Sequence, residues 1–282
     1  NRIQRRALAD ATGTLLHHTR PIGGQRDHRR RDQRGCEPKR MTAGTLYGVG
    51  LGPGDPDLLS LRAHRLLGAT AHVAYFRKAG RLGQARRIAE GLLDPQACEF
   101  AMEYPITTEI PLSDPRYNEI LGAFYTECTT HLLGLLRTGQ DVVVLCEGDP
   151  FFYGSFMHLH SRLKDQAQVQ VVPAITGMSG AWTATGSPIT WGDDILTVLM
   201  GTLPEDTLAD YMARSDAVVV MKIGRNLEKV RSAIDRAGRL GSAWLVEHAT
   251  MPNEKVSRLS EVDDTTSPYF SIVIVHGQGR RP

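Results

Sequence analysis

The sequence predicts an α/β protein built as two α/β domains with a ligand cleft between them. Three observations carry this expectation. Strand-sized apolar runs alternate with amphipathic segments from Leu46 to Val275, the pattern of βα units packed on sheets. Three turns rich in glycine and proline, Gly50–Pro56, Gly148–Gly154 and Pro173–Gly177, each follow an apolar strand. The carboxyl edge of an open α/β sheet is where such folds bind ligands. Two of these turns lie in the first half of the chain and one in the second, so backbone from both halves is expected to line one cleft.

The elements follow in order. Leu46–Val49 reads as a short buried strand, and Asp57–Leu67 as an amphipathic helix. Ala71–Tyr75 is a strand, followed by the basic loop Arg77-Lys78-Ala79-Gly80-Arg81, and Gln84–Leu92 is a helix. Residues 98–112 look extended and irregular. Pro115–Arg137 carries apolar residues at helical spacing and begins with a proline, which suits a first helical turn. Asp141–Cys146 is an apolar run that ends in Glu147-Gly148-Asp149-Pro150, and Phe156–Leu163 is a helix. A second alternating set is expected to start at Val169–Val172. It continues through a helix ending near Gly186, the strand Ile195–Leu199 and a helix over Leu208–Ala213. The strand Ala217–Met221, the helix Leu227–Ala237 and the strands Ser242–Val246 and Ser271–Val275 complete it. The join falls near Lys164–Gln168, which gives domains over 41–166 and 167–282.

Charge separates a head from the body. The net charge of +2 hides an uneven distribution. Residues 1–40 hold eleven Lys/Arg and four Asp/Glu, a balance of +7, while the remaining 22 basic and 27 acidic residues give −5. The head has little apolar periodicity and reads as a disordered basic extension, with Met41 as the natural start. A basic arm can bind nucleic acid, but a mildly acidic body disfavours a nucleic-acid enzyme. Hydrophobic content of 41% and a mean hydropathy of −0.25 suit a globular protein, and the longest apolar runs are too short for a membrane-spanning helix. The four cysteines (Cys36, Cys98, Cys128, Cys146) are scattered without a C-x-x-C pair, which points to a reducing cytoplasm rather than a disulfide framework or a zinc site. His158 and His160 are two apart and face different sides of a helix, so no metal is expected.

The first turn reads Gly50-Leu51-Gly52-Pro53-Gly54-Asp55-Pro56. Glycine admits positive φ and close backbone approach, whereas proline fixes φ near −65° and removes a donor. A dinucleotide fingerprint fails here: its third glycine is Pro53 counted from Gly48 and Asp55 counted from Gly50. The remaining alternatives are a ligand-facing backbone loop or a plain strand-to-helix turn. In the second turn, Asp149 has two readings. It can accept hydrogen bonds from ribose hydroxyls or a ligand amine, or it can cap the next helix.

Four motifs in register, Gly50–Pro56, Glu147–Gly154, Pro173–Gly177 and Met221-Lys222-Ile223-Gly224, resemble the tetrapyrrole (corrin/porphyrin) methyltransferases. These have a bilobal α/β fold distinct from Rossmann-type methyltransferases. The resemblance spans Thr45 to about Gly277 and lies closest to the branch that methylates precorrin-2 at C20. It implies S-adenosylmethionine as methyl donor, a tetrapyrrole substrate, a homodimer, and a place in cobalamin synthesis. It also implies cofactor contacts at Pro53, Glu147, Gly148, Asp149, Phe152, Thr176, Gly177, Met221 and Ala249. Two positions depart from the common pattern. Glu147 and Gly177 stand where relatives often carry glycine and alanine. Backbone contacts tolerate both changes.

Methylation at an electron-rich carbon needs mainly positioning, followed by loss of a proton. Glu147 is the candidate base, and it can equally serve to orient the cofactor's amine. A polycarboxylate substrate requires local positive charge in an acidic body. Arg77, Lys78 and Arg81, with Lys222 and Arg225, are the candidate substrate contacts, against the alternative of ordinary surface charge. The other readings keep the fold and change the acceptor: cobalt-factor II, uroporphyrinogen III or another corrin position. A tetrapyrrole-binding carrier is the non-enzymatic alternative.

Overall fold

The computed structural model describes residues 43–107, 110 and 114–279. The reading of residues 1–40 and part of that for 98–112 lie outside these. Two five-stranded sheets organise the described body.

The first sheet is entirely parallel. It contains β1 (Thr45–Gly50), β2 (His72–Lys78), β3 (Cys98–Tyr104), β4 (Val142–Cys146) and β5 (Gln168–Val172), in the order β3-β2-β4-β1-β5. β4 reads VVVLC and is buried at every position, as expected of a central parallel strand covered on both faces. Its side chains alternate between two cores. Val142, Val144 and Cys146 face α3 (Pro115–Arg137) and α4 (Phe156–Leu163). Val143 and Leu145 face α1 (Leu61–Leu67) and α2 (Gln84–Ile88). Each such buried Val or Leu contributes about 1.5–3 kcal/mol.

The second sheet is mixed. It contains β6 (Leu196–Met200), β7 (Ala217–Met221), β8 (Ala243–Glu247), β9 (Lys255–Arg258) and β10 (Ser271–Val275), in the order β6-β7-β10-β8-β9. Only β6 and β7 run parallel. One face packs on α6 (Glu205–Arg214) and α7 (Leu227–Arg236), the other on α5 (Gly177–Ala184).

Three expectations change, and one strand appears that the sequence does not announce. The strand at 168–172 pairs with β1 through Leu46↔Val169 and Val49↔Val172. It therefore closes the first sheet instead of opening the second set, and the crossover between sheets comes after it. The predicted helix over Asp57–Leu67 is a 3-10 turn at Pro56–Leu58, then α1, because the Ser60 hydroxyl accepts from Ala63 N–H at 3.1 Å and caps a separate helix. Residues 98–104 form an edge strand paired with β2 over seven positions, which its broken apolar pattern conceals. β9, the polar edge strand KVSR, has no signal of its own and exists through pairing with β8.

The strand order fixes where a ligand site can form. The chain leaving β1 crosses to β2 beyond β4, while the chain leaving β4 crosses to β5 beyond β1. Connections departing in opposite directions from neighbouring strands leave a crevice at their carboxyl ends. That crevice lies at Gly50 and Cys146, where the first two turns begin.

Candidate active site

Hydrogen bonds and close packing knit the three turns together. Leu51 N–H donates to Cys146 O at 2.9 Å, and Gly148 N–H to Gly52 O at 2.9 Å. Gly52 and Gly148 both take positive φ, +78° and +62°, at no steric cost. All three turns meet at Gly50: a Cβ there would stand 2.6 Å from Ala174 Cβ, 2.7 Å from Gly148 O and 2.9 Å from Pro150 Cδ. Only glycine permits that convergence.

Asp149 supplies the polar tie. Its Oδ1 accepts from Phe151 N–H at 2.9 Å, and its Oδ2 accepts from Ala174 N–H at 3.0 Å. The sequence left this residue as ligand contact or cap. Here each oxygen receives a backbone donor, so Asp149 braces the second turn against the third. Thr176 likewise caps α5, with its hydroxyl accepting from Ser179 N–H at 3.4 Å.

The turns also lock onto the second sheet's loops. A Cβ on Gly180 would approach Pro53 Cβ to 2.9 Å, so α5 lies directly on the first turn. Asp55 N–H donates to Thr250 Oγ1 at 3.1 Å. Between these contacts opens a cavity of about 620 Å³. Its lining includes Pro53, Glu147, Gly148, Asp149, Phe152, Thr176, Gly177, Met221 and Ala249 together with Arg77, Lys78, Arg81 and Lys222. Arg225 is not in the lining. It is an exposed residue of the 3-10 turn Gly224–Asn226, which begins two residues beyond Lys222.

Glu147 follows β4 directly and faces the cavity, open to its space while protein atoms surround its carboxyl group. Desolvation pushes its pKa up to about 7, opposed by a hydrogen bond from the Ala85 backbone. Tyr269, from the loop before β10, reaches the same space. Tyr269 is largely exposed as a residue, 77%, yet the protein atoms crowding its hydroxyl and then the negative charge of Glu147 raise its pKa to about 12. Tyr104 donates a hydrogen bond to Ser155 Oγ, and both line the cavity. Burial raises the Tyr104 phenol strongly, so it stays a neutral donor.

The cavity's cations differ in availability. Arg77 Nε lies 3.0 Å from Glu103 Oε2, a pairing set by the β2–β3 register that places Arg77 opposite Glu103. Lys222 Nζ lies 5.7 Å from the centre of the Tyr153 ring, a cation–π contact across the cavity. Sequence reading misses Arg87, Tyr104, Ser155, Tyr269 and Phe270, all in the lining. Apart from the adjacent pair Tyr269 and Phe270, they come from separate elements, and together they form no contiguous motif. One signal is visible only in the backbone. Among the described residues, the non-glycine residues with positive φ are Tyr153, Lys222, His248 and Thr250. The first two line the cavity and the other two flank lining residue Ala249. Strained backbone collects at functional sites.

This geometry offers backbone polar groups from tight turns, an apolar and aromatic wall, one desolvated carboxyl and a cationic rim. It suits a medium-sized, partly charged ligand lying beside a larger anionic one. Comparison with known proteins gives the family of the chain. Residues 45–263 match the family described as Tetrapyrrole (Corrin/Porphyrin) Methylases. The chain is 47% identical over 239 residues to a precorrin-2 C(20)-methyltransferase from a Sinorhizobium species, covering 85% of this chain and 98% of that protein. It is 28% identical to a cobalt-precorrin-2 C(20)-methyltransferase of Salmonella typhimurium, covering 83% and 97%. Among solved structures it resembles uroporphyrin-III C-methyl transferase from Thermus thermophilus complexed with S-adenosyl homocysteine. The TM-score is 0.57 and the identity 25%, covering 82% of this chain and 96% of that one.

Proposed function

Because this chain belongs to the tetrapyrrole (corrin/porphyrin) methylases, we propose that it transfers a methyl group from S-adenosylmethionine to C20 of precorrin-2, giving precorrin-3A in cobalamin synthesis. The observation that carries this reading is the 47% identity to a precorrin-2 C(20)-methyltransferase along 98% of that protein's length.

The site's chemistry fits the donor. Gly148 and Gly177 expose backbone polar groups, Pro53, Met221 and Ala249 offer apolar surface, and Glu147 can pair with a cationic amine. S-adenosylmethionine supplies an electrophilic methyl on sulfur. The C20–methyl bond forms as the sulfur–methyl bond breaks with its electron pair passing to sulfur, and C20 then releases its proton. The protein's main contribution is orientation: holding donor and acceptor in line replaces a large part of the entropic barrier. Glu147 in its ionised form orients the amine; of the two carboxylates that line the cavity among the described residues, Asp149 already holds two backbone amides. Proton loss passes either to it or to solvent.

The two sheets with their helices act as lobes that flank the donor, since loops of both line the cavity, and the enzyme works as a cytoplasmic homodimer. Among the described residues, no helix is long and apolar enough to cross a membrane. Sedimentation of the purified protein tests the dimer. The reaction is tested by incubating the protein with S-adenosylmethionine and precorrin-2, followed by mass spectrometry and NMR. One added methyl at C20 is the expected product; methylation at another carbon, or none, overturns the assignment. Parallel incubation with the cobalt-loaded substrate decides between the two forms of acceptor.

A further inference from the structure

We propose that Arg87, together with Arg81 on the same lobe and Lys222 on the opposite one, anchors the peripheral carboxylates of the macrocycle, and that Arg77 does not. This inference rests on the reading of the acceptor as a polycarboxylate tetrapyrrole. It names a residue, Arg87, that the motifs leave out.

The argument starts from charge availability. Arg77, Lys78, Arg81, Arg87 and Lys222 are the Lys and Arg residues in the cavity lining. Arg77 is held by Glu103 at 3.0 Å, so a substrate carboxylate must compete with a carboxylate already in place. Arg81 and Arg87 are exposed to the cavity and form no ion pair among the described residues. An arginine fork without a carboxylate partner is the strongest site in this rim for a bidentate pair.

Placement supports the same division. Arg87 projects from α2 (Gln84–Ile88), whose backbone also meets Glu147 through Ala85. Arg81 precedes that helix in the turn closed by Arg81 N–H to Lys78 O at 3.0 Å. Lys222 approaches from the other sheet on a left-handed backbone, φ +55°, a conformation that costs energy for any residue but glycine. That conformation carries its ammonium over Tyr153. Free cations on both sides of the cavity match a disc with carboxylates around its edge. A cation–π partner holds the lysine in place and yields to a carboxylate when one arrives.

The test is direct binding, separate from turnover. Uroporphyrin III, a stable polycarboxylate macrocycle, is titrated by fluorescence into the full chain and into Arg87→Gln, Lys222→Gln and Arg77→Gln. Arg87→Gln and Lys222→Gln are expected to weaken binding about tenfold each, the loss of one charge-assisted contact, and to reduce its dependence on salt. Arg77→Gln is expected to change it less than threefold. Calorimetric binding of S-adenosylhomocysteine, unchanged in all three, shows that the variants fold. Equal affinity in Arg87→Gln and the parent protein, no affinity in the parent, or a larger loss in Arg77→Gln overturns the proposal. If the parent binds the porphyrin with these differences yet fails to methylate precorrin-2, the assigned reaction falls while the anchor stands.

Discussion

The Oδ2 atom of Asp149 accepts the Ala174 backbone N–H at 3.0 Å, joining the turn after β4 to the turn after β5 across the end of β1. Its Oδ1 holds Phe151 N–H at 2.9 Å. Replacing Asp149 with alanine leaves both amides without these partners and frees the third turn. A hydrogen bond to a charged group contributes about 1.5–3 kcal/mol. Affinity for S-adenosylhomocysteine should therefore fall at least about tenfold. Calorimetry giving parental affinity for Asp149→Ala would rule out this role.

Gly50 is the point of closest approach among the three turns. An added methyl group would overlap Ala174 Cβ at 2.6 Å and Gly148 O at 2.7 Å. Gly50→Ala should destabilise the protein by about 1–3 kcal/mol and sharply weaken donor binding. Urea denaturation checks the first effect. A stable Gly50→Ala variant with normal binding would show that the turns do not depend on this contact.

The pKa of Glu147 sets a pH dependence. Desolvation by the protein atoms around the carboxyl, although the residue is open to the cavity, raises it above the ordinary carboxylate range to about 7, so the folded protein holds a proton that the unfolded chain has already released. Stability of the ligand-free protein should decline as pH rises from the ordinary carboxylate range to about 7. Donor affinity should move the opposite way, rising through the same range as the carboxylate becomes available to the amine. Glu147→Gln should flatten both profiles. Denaturation and calorimetry across this pH range measure them, and a donor affinity independent of pH in the parent would remove Glu147 from the site.

Lys222 occupies left-handed backbone at φ +55°. Lys222→Gly relieves that conformation, so the variant should gain stability by up to about 1 kcal/mol while losing activity. A thermal melt alongside a turnover assay tests the trade. A loss of stability on going to glycine would mean that the backbone at this position carries no strain.

The apolar β-strands and the three turns were legible because their causes are local. Apolar runs such as Val142–Cys146 can only be buried, and alternating glycine and proline force a turn wherever they fall. The sheet membership of residues 168–172 was not legible, since both sheets accept an apolar strand and the choice depends on a partner far along the chain. β9 was hidden for a related reason: its polar sequence becomes a strand through hydrogen bonds to β8. Among candidate site residues, those within motifs fall in the cavity lining, whereas Arg87, Tyr104 and Tyr269 have no motif to announce them. Arg225 sits next to a motif but outside the lining, because the 3-10 turn at Gly224–Asn226 sends it to the surface.

Composition and pattern alone established the α/β class, the buried strands, the glycine- and proline-rich turns and the family likeness, since each follows from residues close together in the chain. Tertiary structure decided which charges are free and which are taken. Glu103 pairs with Arg77 only because β2 and β3 align. Asp149 receives Ala174 only because β5 lies beside β1. The Ala85 backbone reaches Glu147 only because α2 packs against β4. Electrostatic character depends on neighbours in space, and those neighbours are set by strand order rather than by adjacency in the chain.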